Sequence, residues 1–316
     1  MATNTTRVNE LAGSVDRDLT GGGRISGVLL LDKPSGLTSN AAVQKVRRLF
    51  ERAKAGHTGT LDPLASGLLP ICLGEATKFS HPLLESSKTY RATVRLGQRS
   101  TTGDAEGELS SVVPVVFDDV QLRQAVRDLT GDIEQMPPMH SAIKVKGQPL
   151  YKLARKGIDV ERTPRRVHIF EFEASRHSPD TLEILVRCSK GTYIRVLAED
   201  LGDRLGCGGY LTALRRVAIG TIDIGQATGL DALEQSSVAQ RLALLRPIDS
   251  LLDGIPQVRL PSHDSLRLRH GLSISGLDGF AVGQVRVYSE QGDFLGLGEI
   301  GADGLLKPRR LVSSMS

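Results

Sequence analysis

The feature that most constrains the fold is a strict two-residue alternation between Lys88 and Leu96, in the sequence KTYRATVRL. Successive side chains of a strand point to opposite faces, so this pattern predicts a half-buried strand. A second strand is predicted over Leu182–Cys188, and apolar residues at helical spacing follow it: Ile194, Leu197, Leu201 and Leu205. Strands interleaved with helices predict a mixed α/β (α+β) domain.

The N-terminal region divides into a polar tail and an ordered start. Residues 1–25 are polar and Gly-rich, which predicts a loose tail. A strand is predicted from Gly27 to Leu31, and the sequence DKPSG then predicts a turn. Oxygen-bearing side chains at 38–40 predict the N-terminus of a helix that runs to about Arg52.

The sequence pattern changes again after about residue 250. Gly- and Asp-rich turns separate three short strand candidates, 284–288, 294–300 and 305–312. Asp303-Gly304 is a strong hairpin signal. We therefore predict a domain over residues 26–250 and a smaller β-rich domain over residues 251–316. Gly296–Gly301 matches G-x-G-x-x-G, but a turn and a strand follow it instead of the helix that dinucleotide binding needs.

Composition narrows the class of protein without naming a function. A net charge of +4 permits nucleic acid as a partner, and 40% hydrophobic with 24% charged residues is ordinary for a globular chain. The three cysteines form no Cys-x-x-Cys pair and the histidines no H-x-x-x-H pair, so we expect neither disulfides nor a metal. No apolar run near the N-terminus is long enough for a signal or a membrane span, and we expect a cytoplasmic protein.

One segment is dense in glycine and proline: residues 56–78, GHTGTLDPLASGLLPICLGEATK. This density predicts a structured loop rather than a plain helix. Asp62 precedes Pro63, which moves its backbone away from the helical region. A lone carboxylate in such a loop is often only a turn former, so the pattern alone leaves the role of Asp62 open.

The same segment resembles the signature of the TruB family of tRNA pseudouridine-55 synthases. Other segments resemble the family in the expected order: 27–36, 88–106, 135–155, 189–208 and 267–312. The resemblance implies a central, mostly antiparallel sheet and a C-terminal PUA-like RNA-binding domain. It also implies isomerisation of uridine-55 in the T-loop of tRNA, by base flipping and without metal or cofactor.

The resemblance also assigns the site residues. Asp62 becomes the catalytic aspartate, and Arg195 becomes its partner in an ion pair that favours the ionised carboxylate. Four residues are expected to bind the substrate. Tyr90 stacks on the target base and Tyr193 positions it, while His57 contacts the RNA and Leu214 lines the uracil pocket. For Leu214, ordinary core packing stays an alternative.

Positive charge concentrates between residues 144 and 166, where eight basic residues face only Asp159 and Glu161, a local excess of +6. This part resembles the mobile insertion of the family, at about 135–160, which closes on tRNA. A solvated basic helix is the alternative. The predicted RNA contacts of the whole chain are Lys33, Lys144, Lys146, Lys152, Arg155, Lys156, Arg309 and Arg310.

Three functions are compatible with an RNA-binding chain of this kind. The first is a stand-alone synthase that acts on the T-stem-loop of tRNA as a monomer, with no guide RNA, membrane or obligate protein partner. The second is an RNA-folding helper in which catalysis is secondary or lost, and the third is a guide-RNA-dependent synthase. The intact Asp62, Tyr90, Tyr193 and Arg195 argue against the second, and the basic insertion argues against the third.

Overall fold

The structure is a computed structural model that describes residues 25–313 except 142, 146, 155, 159 and 278. Its strands are β1 Gly27–Lys33, β2 Ala55–His57, β3 Ser66–Leu73, β4 Lys88–Leu96, β5 Gly131–Gln135, β6 Lys144–Val145, β7 Gln148–Pro149, β8 Arg165–Ser178, β9 Thr181–Cys188, β10 Gly209–Ile219, β11 Ile222–Asp223, β12 Thr228–Gly229, β13 Gln257–Leu260, β14 Gly283–Ser289, β15 Phe294–Ile300 and β16 Leu306–Leu311. Its α-helices are α1 Ser39–Leu49, α2 His81–Glu85, α3 Asp119–Asp128, α4 Leu150–Ala154, α5 Ile194–Arg204, α6 Leu230–Gln235, α7 Val238–Ala243 and α8 Ser262–Arg269. The tail predicted for residues 1–25 lies almost wholly outside the described residues.

A ten-stranded sheet forms the centre of the described chain, in the order β12-β1-β3-β10-β4-β9-β8-β5 with β2 and β11 on its sides. Only the β1–β12 and β3–β10 pairs within it are parallel. The predicted mixed fold with a mostly antiparallel central sheet is therefore confirmed. The main hydrophobic core lies against this sheet and takes in residues of α1, α3 and α5.

The alternating segment forms β4 with the predicted bounds, Lys88–Leu96. It lies between β9 and β10, and Ala92, Val94 and Leu96 are buried. The next predicted pair is also present, as β9 followed by α5. Tyr193 is the N-cap residue of α5 and marks the end of the intervening turn.

Helix α1 starts where the sequence predicts but ends earlier. The Thr38 side chain accepts a hydrogen bond from the backbone N–H of Ala41, as an N-cap does. The helix stops at Leu49 instead of Arg52, because Glu51 and Arg52 adopt left-handed backbone angles, with φ of 49° and 57°.

The glycine-rich segment 56–78 is less loop-like than the sequence suggests, and this prediction is corrected. It contains the end of β2, the eight-residue strand β3 and a 3₁₀ helix over Gly74–Lys78. From Gly67 to Leu73, every residue of β3 is buried. A strand covered on both faces has a continuous apolar sequence without alternation, so the two-residue period that predicts a strand is missing from it. The loop proper is residues 58–65.

The C-terminal residues form a separate four-stranded sheet in the order β13-β14-β15-β16, with its own hydrophobic core. The three predicted strand candidates correspond to β14, β15 and β16. Gly296, Gly298 and the residues around them lie within β15, so the G-x-G-x-x-G match is part of a strand. Within the residues described, no helix is long and apolar enough to cross a membrane.

The two sheets meet through a small apolar cluster that joins Phe79 and Leu252 to Leu297. Polar contacts support this junction. The Tyr288 hydroxyl donates to an Asp249 carboxylate oxygen at 2.6 Å, and the Lys78 ammonium donates to Ser313 Oγ at 2.8 Å.

Candidate active site

The loop that carries Asp62 is held by the start of helix α1. Ser39 Oγ accepts from the backbone N–H of Leu61 at 2.8 Å and donates to the Leu61 carbonyl at 2.9 Å. The Gly36 N–H donates to the Pro63 carbonyl at 2.7 Å. Asp62 is therefore bracketed on both sides by contacts that span the β1–α1 connection. Nothing in the sequence pattern signals the role of Ser39.

Asp62 and Arg195 form the predicted ion pair, with 3.0 Å between Arg195 Nη2 and Asp62 Oδ2. The Arg195 side chain is only 6% exposed, whereas that of Asp62 is 39% exposed. The guanidinium also donates to the carbonyls of Thr102 and His140, each at 2.9 Å. Arg195 is thus fixed from three segments, and it presents one edge to a carboxylate that solvent or substrate can reach.

Asp104 is a further member of this site that the sequence did not single out. It is 3% exposed, and its Oδ2 lies 3.6 Å from Arg195 Nε. Its other carboxylate oxygen accepts from Thr102 Oγ1 at 2.6 Å and from the Glu106 N–H at 3.1 Å. The Arg195 guanidinium therefore interacts with two carboxylates, those of Asp62 and Asp104.

The protonation balance of Asp62 differs from the simple expectation for an ion pair. Burial raises the pKa of Asp62, Arg195 lowers it, and the neighbouring Asp104 raises it again, so the net shift is upward. The pair still opposes protonation, as predicted, but it offsets only part of the cost of burying the charge.

Tyr90 lies on β4, half-buried, and packs against the main core. Its backbone is level with Arg216 on β10 and Val186 on β9. Burial raises the pKa of the Tyr90 hydroxyl, and Arg216 acts in the opposite direction by its charge and a hydrogen bond. The side chain is therefore a neutral aromatic ring.

Tyr193 is held at the strand-to-helix junction by a buried amide side chain. Gln135 Oε1 accepts from the Tyr193 N–H at 3.0 Å, and Gln135 Nε2 donates to the Tyr193 carbonyl at 3.3 Å. Gln135 is 2% exposed and ends β5, at the base of the predicted insertion. Burial raises the pKa of the Tyr193 hydroxyl, so this phenol is also neutral at ordinary pH.

His57 ends β2 immediately before the Asp62 loop. Its Nδ1 atom is buried, with no hydrogen-bond partner among the described residues. Burial lowers the pKa of His57, and the charge of Arg216 lowers it further. The imidazole is therefore neutral.

Leu214 lies on β10 opposite Ala92 of β4 and is 9% exposed. It belongs to the main core, so both the pocket-lining role and the packing role fit its position. Its assignment stays a prediction.

Lys33 requires a correction, since it does not occupy the surface position expected of an RNA contact. Its side chain is 0% exposed, and its ammonium donates to the carbonyls of Leu37 at 2.6 Å and Pro34 at 2.9 Å. Burial lowers the pKa of Lys33 to about 8, against the attraction of Asp62. A side chain without exposed surface cannot touch a phosphate, and the structure makes Lys33 an interior cation near Asp62.

The remaining predicted RNA contacts are described in part. Lys152 and Lys156 are exposed on and just after α4. Arg309 and Arg310 are exposed on β16, and Arg309 forms an ion pair with Glu299 at 2.6 Å. Lys146 and Arg155 lie outside the described residues, as does the side chain of Lys144. Across the described ranges, no group of three or more His, Cys, Asp or Glu side chains could hold a metal ion.

The fold has solved counterparts. A chain from a Cbf5-Nop10-Gar1 complex aligns with a TM-score of 0.67 at 24% identity, over 91% of this chain and 83% of the other. A chain from an H/ACA RNP bound to a substrate RNA containing 2′-deoxyuridine also gives 0.67, at 20% identity over 92% and 85% of the two chains. At these identities the likeness concerns the fold.

Family models cover most of the described chain. "TruB family pseudouridylate synthase (N terminal domain)" matches residues 47–194, "tRNA pseudouridylate synthase B C-terminal domain" matches 195–253, and "Pseudouridine synthase II TruB, C-terminal" matches 256–312. Among its relatives, the tRNA pseudouridine synthase B of Dechloromonas aromatica is 53% identical over 92% of this chain and 96% of its own. That of Aromatoleum aromaticum is 53% identical over 92% and 94%. The chain belongs to the TruB family of pseudouridine synthases.

Proposed function

We propose that this chain converts uridine-55 in the T-loop of tRNA to pseudouridine. The observation that carries this proposal is the Asp62–Arg195 pair, in which the arginine is buried and the carboxylate is 39% exposed, within a loop fixed by Ser39. Relatives that are 53% identical over most of both chains are tRNA pseudouridine synthases B.

The reaction rearranges one glycosidic bond without adding or removing atoms. The N1–C1′ bond of the uridine breaks, the base turns, and a C5–C1′ bond forms. The proton on C5 is lost, and N1 gains one. Asp62 is the catalytic residue, because a carboxylate can add to an electrophilic carbon or stabilise positive charge at the ribose. Arg195 keeps that carboxylate oriented toward the substrate.

The two tyrosines have separate tasks in this proposal. A uridine within the T-loop must leave its stack to reach Asp62, at a cost of a few kcal/mol. Stacking on Tyr90 offsets this cost, since base–aromatic stacking is worth about 1–3 kcal/mol. Tyr193 positions the base and assists removal of the C5 proton, and Leu214 lines the pocket. His57, which is only half-buried at the end of β2, contacts the RNA.

The tRNA is held by the basic insertion at about 135–160 and by the PUA-like domain from residue 251 onward. Exposed Lys152 and Lys156 support this assignment, as do Arg309 and Arg310 on the second sheet. Lys144, Lys146 and Arg155 are proposed with them on sequence alone. We infer a monomer that acts in the cytoplasm without guide RNA or an obligate protein partner.

The test uses an unmodified tRNA transcript, the purified chain and no other RNA or protein. Mapping of pseudouridine should show one new site, at position 55, and the Asp62→Asn variant should give none under the same conditions. Absence of product with the wild-type chain would overturn the proposal. Product formed only after addition of a guide RNA would favour the guide-dependent alternative.

A further inference from the structure

The structure places a second arginine beneath the site, and none of the roles above uses it. Arg216 on β10 is 1% exposed and is one of the largest fully buried side chains of the described chain. Its backbone is level with Gly67 of β3 and Tyr90 of β4. The preceding residue, Arg215, is 42% exposed in its side chain and pairs with Asp32 at 2.6 Å. Two consecutive arginines thus have opposite environments.

The Arg216 guanidinium joins two parts of the site through backbone carbonyls. Its Nε donates to the Leu68 carbonyl on β3 at 2.8 Å, and its Nη2 donates to the Gly59 carbonyl at 2.9 Å. Gly59 lies in the same loop as Asp62. A planar fork with several donors suits two such acceptors, and a lysine could not hold both in the same way.

The backbone conformation of Gly59 and its lack of a side chain allow this close contact. Its φ of +89° lies in the region that favours glycine, and a Cβ atom there would lie 3.3 Å from Arg216 Nη1. The guanidinium therefore packs closely against the backbone of the catalytic loop.

The same guanidinium acts on Tyr90: the two residues are level on the neighbouring strands β10 and β4, and the charge of Arg216 opposes the effect of burial on the pKa of the Tyr90 hydroxyl. Arg216 therefore lies between the loop that carries Asp62 and the residue proposed to stack on the base. The charge of Arg216 also acts on His57 and Lys33, whose pKa values it lowers.

The charge of Arg216 is not explained by packing alone. Among the residues that the structure describes, no carboxylate lies within ion-pairing distance of its guanidinium. A buried charge without a counter-charge is costly, and an apolar side chain of similar volume would fill the same space at less cost. The geometry of its hydrogen bonds offers a reason for keeping the charge.

We propose that Arg216 is a positioning residue for the isomerisation, which fixes the Asp62 loop and the Tyr90 ring relative to each other. This inference rests on the proposed function, since it assumes that Asp62 and Tyr90 act on the same nucleotide. Without Arg216, the two would still be present, but the reacting carbon would no longer meet the carboxylate in the productive geometry.

The first experiment compares Arg216→Met and Arg216→Lys with the matched control Arg215→Met, which alters the neighbouring arginine on the same strand. Single-turnover tritium release from 5-tritiated-uridine tRNA gives the rate, and filter binding gives the Kd for tRNA. We expect Arg216→Met to lower the rate at least about 100-fold with less than about threefold change in Kd. Arg216→Lys should recover part of the loss, and Arg215→Met should stay near the wild-type rate.

A rate for Arg216→Met within threefold of the wild type would overturn the inference and leave the proposed function intact. A wild-type chain without activity would overturn both. A parallel loss of rate and of tRNA affinity would also overturn it, because that result indicates general damage to the binding surface.

A second pair of variants tests the same contact if Arg216→Met does not fold. Gly59→Ala puts a methyl group against the guanidinium, whereas Gly131→Ala has a similar φ, +93°, with nothing within 4 Å of the added Cβ. The rate should fall at least tenfold more in Gly59→Ala than in Gly131→Ala. Equal rates in the two variants would overturn the inference.

Discussion

At the catalytic pair, burial and charge act on Asp62 in opposite directions. Burial and Asp104 raise the pKa of the carboxyl, while Arg195 lowers it. The net upward shift of the pKa means that the ion pair offsets only part of the cost of burying the carboxylate charge. The 39% exposure of its side chain leaves room for a substrate atom to approach.

Replacement of the carboxylate by its amide isolates this charge. Asp62→Asn keeps the size and one oxygen of the side chain but removes the negative charge that the reaction needs. We expect tritium release to fall at least 1,000-fold, about 4 kcal/mol in activation free energy, with tRNA affinity nearly unchanged. Full turnover by this variant would remove Asp62 from the catalytic role.

At Tyr90, the ring and the hydroxyl can be separated. Tyr90→Phe keeps the stacking surface and loses only the hydroxyl on which the charge of Arg216 acts, so we expect a rate loss of about tenfold or less. Tyr90→Leu loses the aromatic face as well and should cost about 1–3 kcal/mol more in single-turnover kinetics. Wild-type activity in Tyr90→Leu would exclude stacking as its role.

Glu199, one turn beyond Arg195 on α5, predicts a pH dependence of stability. Burial, with Asp200 and Asp203 nearby, raises the pKa of Glu199 to about 7. The folded chain therefore holds a proton that the unfolded chain has lost, and stability from this group falls as pH rises from about 4.5 through about 7.

Glu199→Gln removes that penalty. We expect its free energy of unfolding to exceed the wild-type value by about 2 kcal/mol at pH 8, and by almost nothing at pH 4.5. Urea unfolding at both pH values measures the difference. The same gain at both values would show that the effect does not come from titration of Glu199.

At the scale of elements, the site is made where connections meet rather than within one motif. Helix α1 holds the Asp62 loop through Ser39, and the end of β5 holds Tyr193 through Gln135. Strand β10 carries Leu214 and Arg216, both proposed members of the site. A substitution in one of these elements should therefore shift the position of a site residue on another.

The contact between α1 and the loop gives a direct test of this arrangement. Ser39→Ala leaves the buried Leu61 N–H without an acceptor, which should cost about 1–3 kcal/mol of stability. Thermal or urea unfolding measures the loss, and the exposed Ser35→Ala serves as control. Equal stability of the two variants would contradict the stabilising role of the Ser39–Leu61 hydrogen bonds.

For the whole molecule, the average charge hides its distribution. The net charge is +4, yet residues 144–166 alone carry an excess of +6, so the rest of the chain is slightly acidic. The second sheet adds exposed arginines on β16, although Arg309 already pairs with Glu299. Binding of tRNA should therefore depend strongly on salt, and chiefly through the insertion.

A double variant tests this distribution. Lys152→Ala with Lys156→Ala should reduce the slope of log affinity against log salt by about two, since each lysine that contacts a phosphate contributes about one. A control pair, Lys45→Ala with Lys190→Ala, removes two lysines that already pair with Glu234 and Glu85. The inference of RNA contact at the insertion would be wrong if the two pairs changed the slope equally.

The sequence by itself determined the strand at Lys88–Leu96, the helix after Tyr193 and the three C-terminal strands. These elements depend on the periodicity and turn signals of short segments. The Asp62–Arg195 pair, which joins two distant segments, was implied only by the resemblance to the TruB family. The sequence also predicted the mixed fold, because alternating strand and helix patterns restrict how layers can pack.

Only the tertiary structure decided what Ser39, Gln135, Asp104 and Arg216 contact, and that Lys33 is interior. Each acts on residues far away in the chain, and hydrogen bonds of this kind leave no period in the sequence. Strand β3 escaped prediction for a related reason, since it is covered on both faces and therefore lacks alternation. Burial, which raises the pKa of both Asp62 and Glu199, is likewise a property of the packed chain.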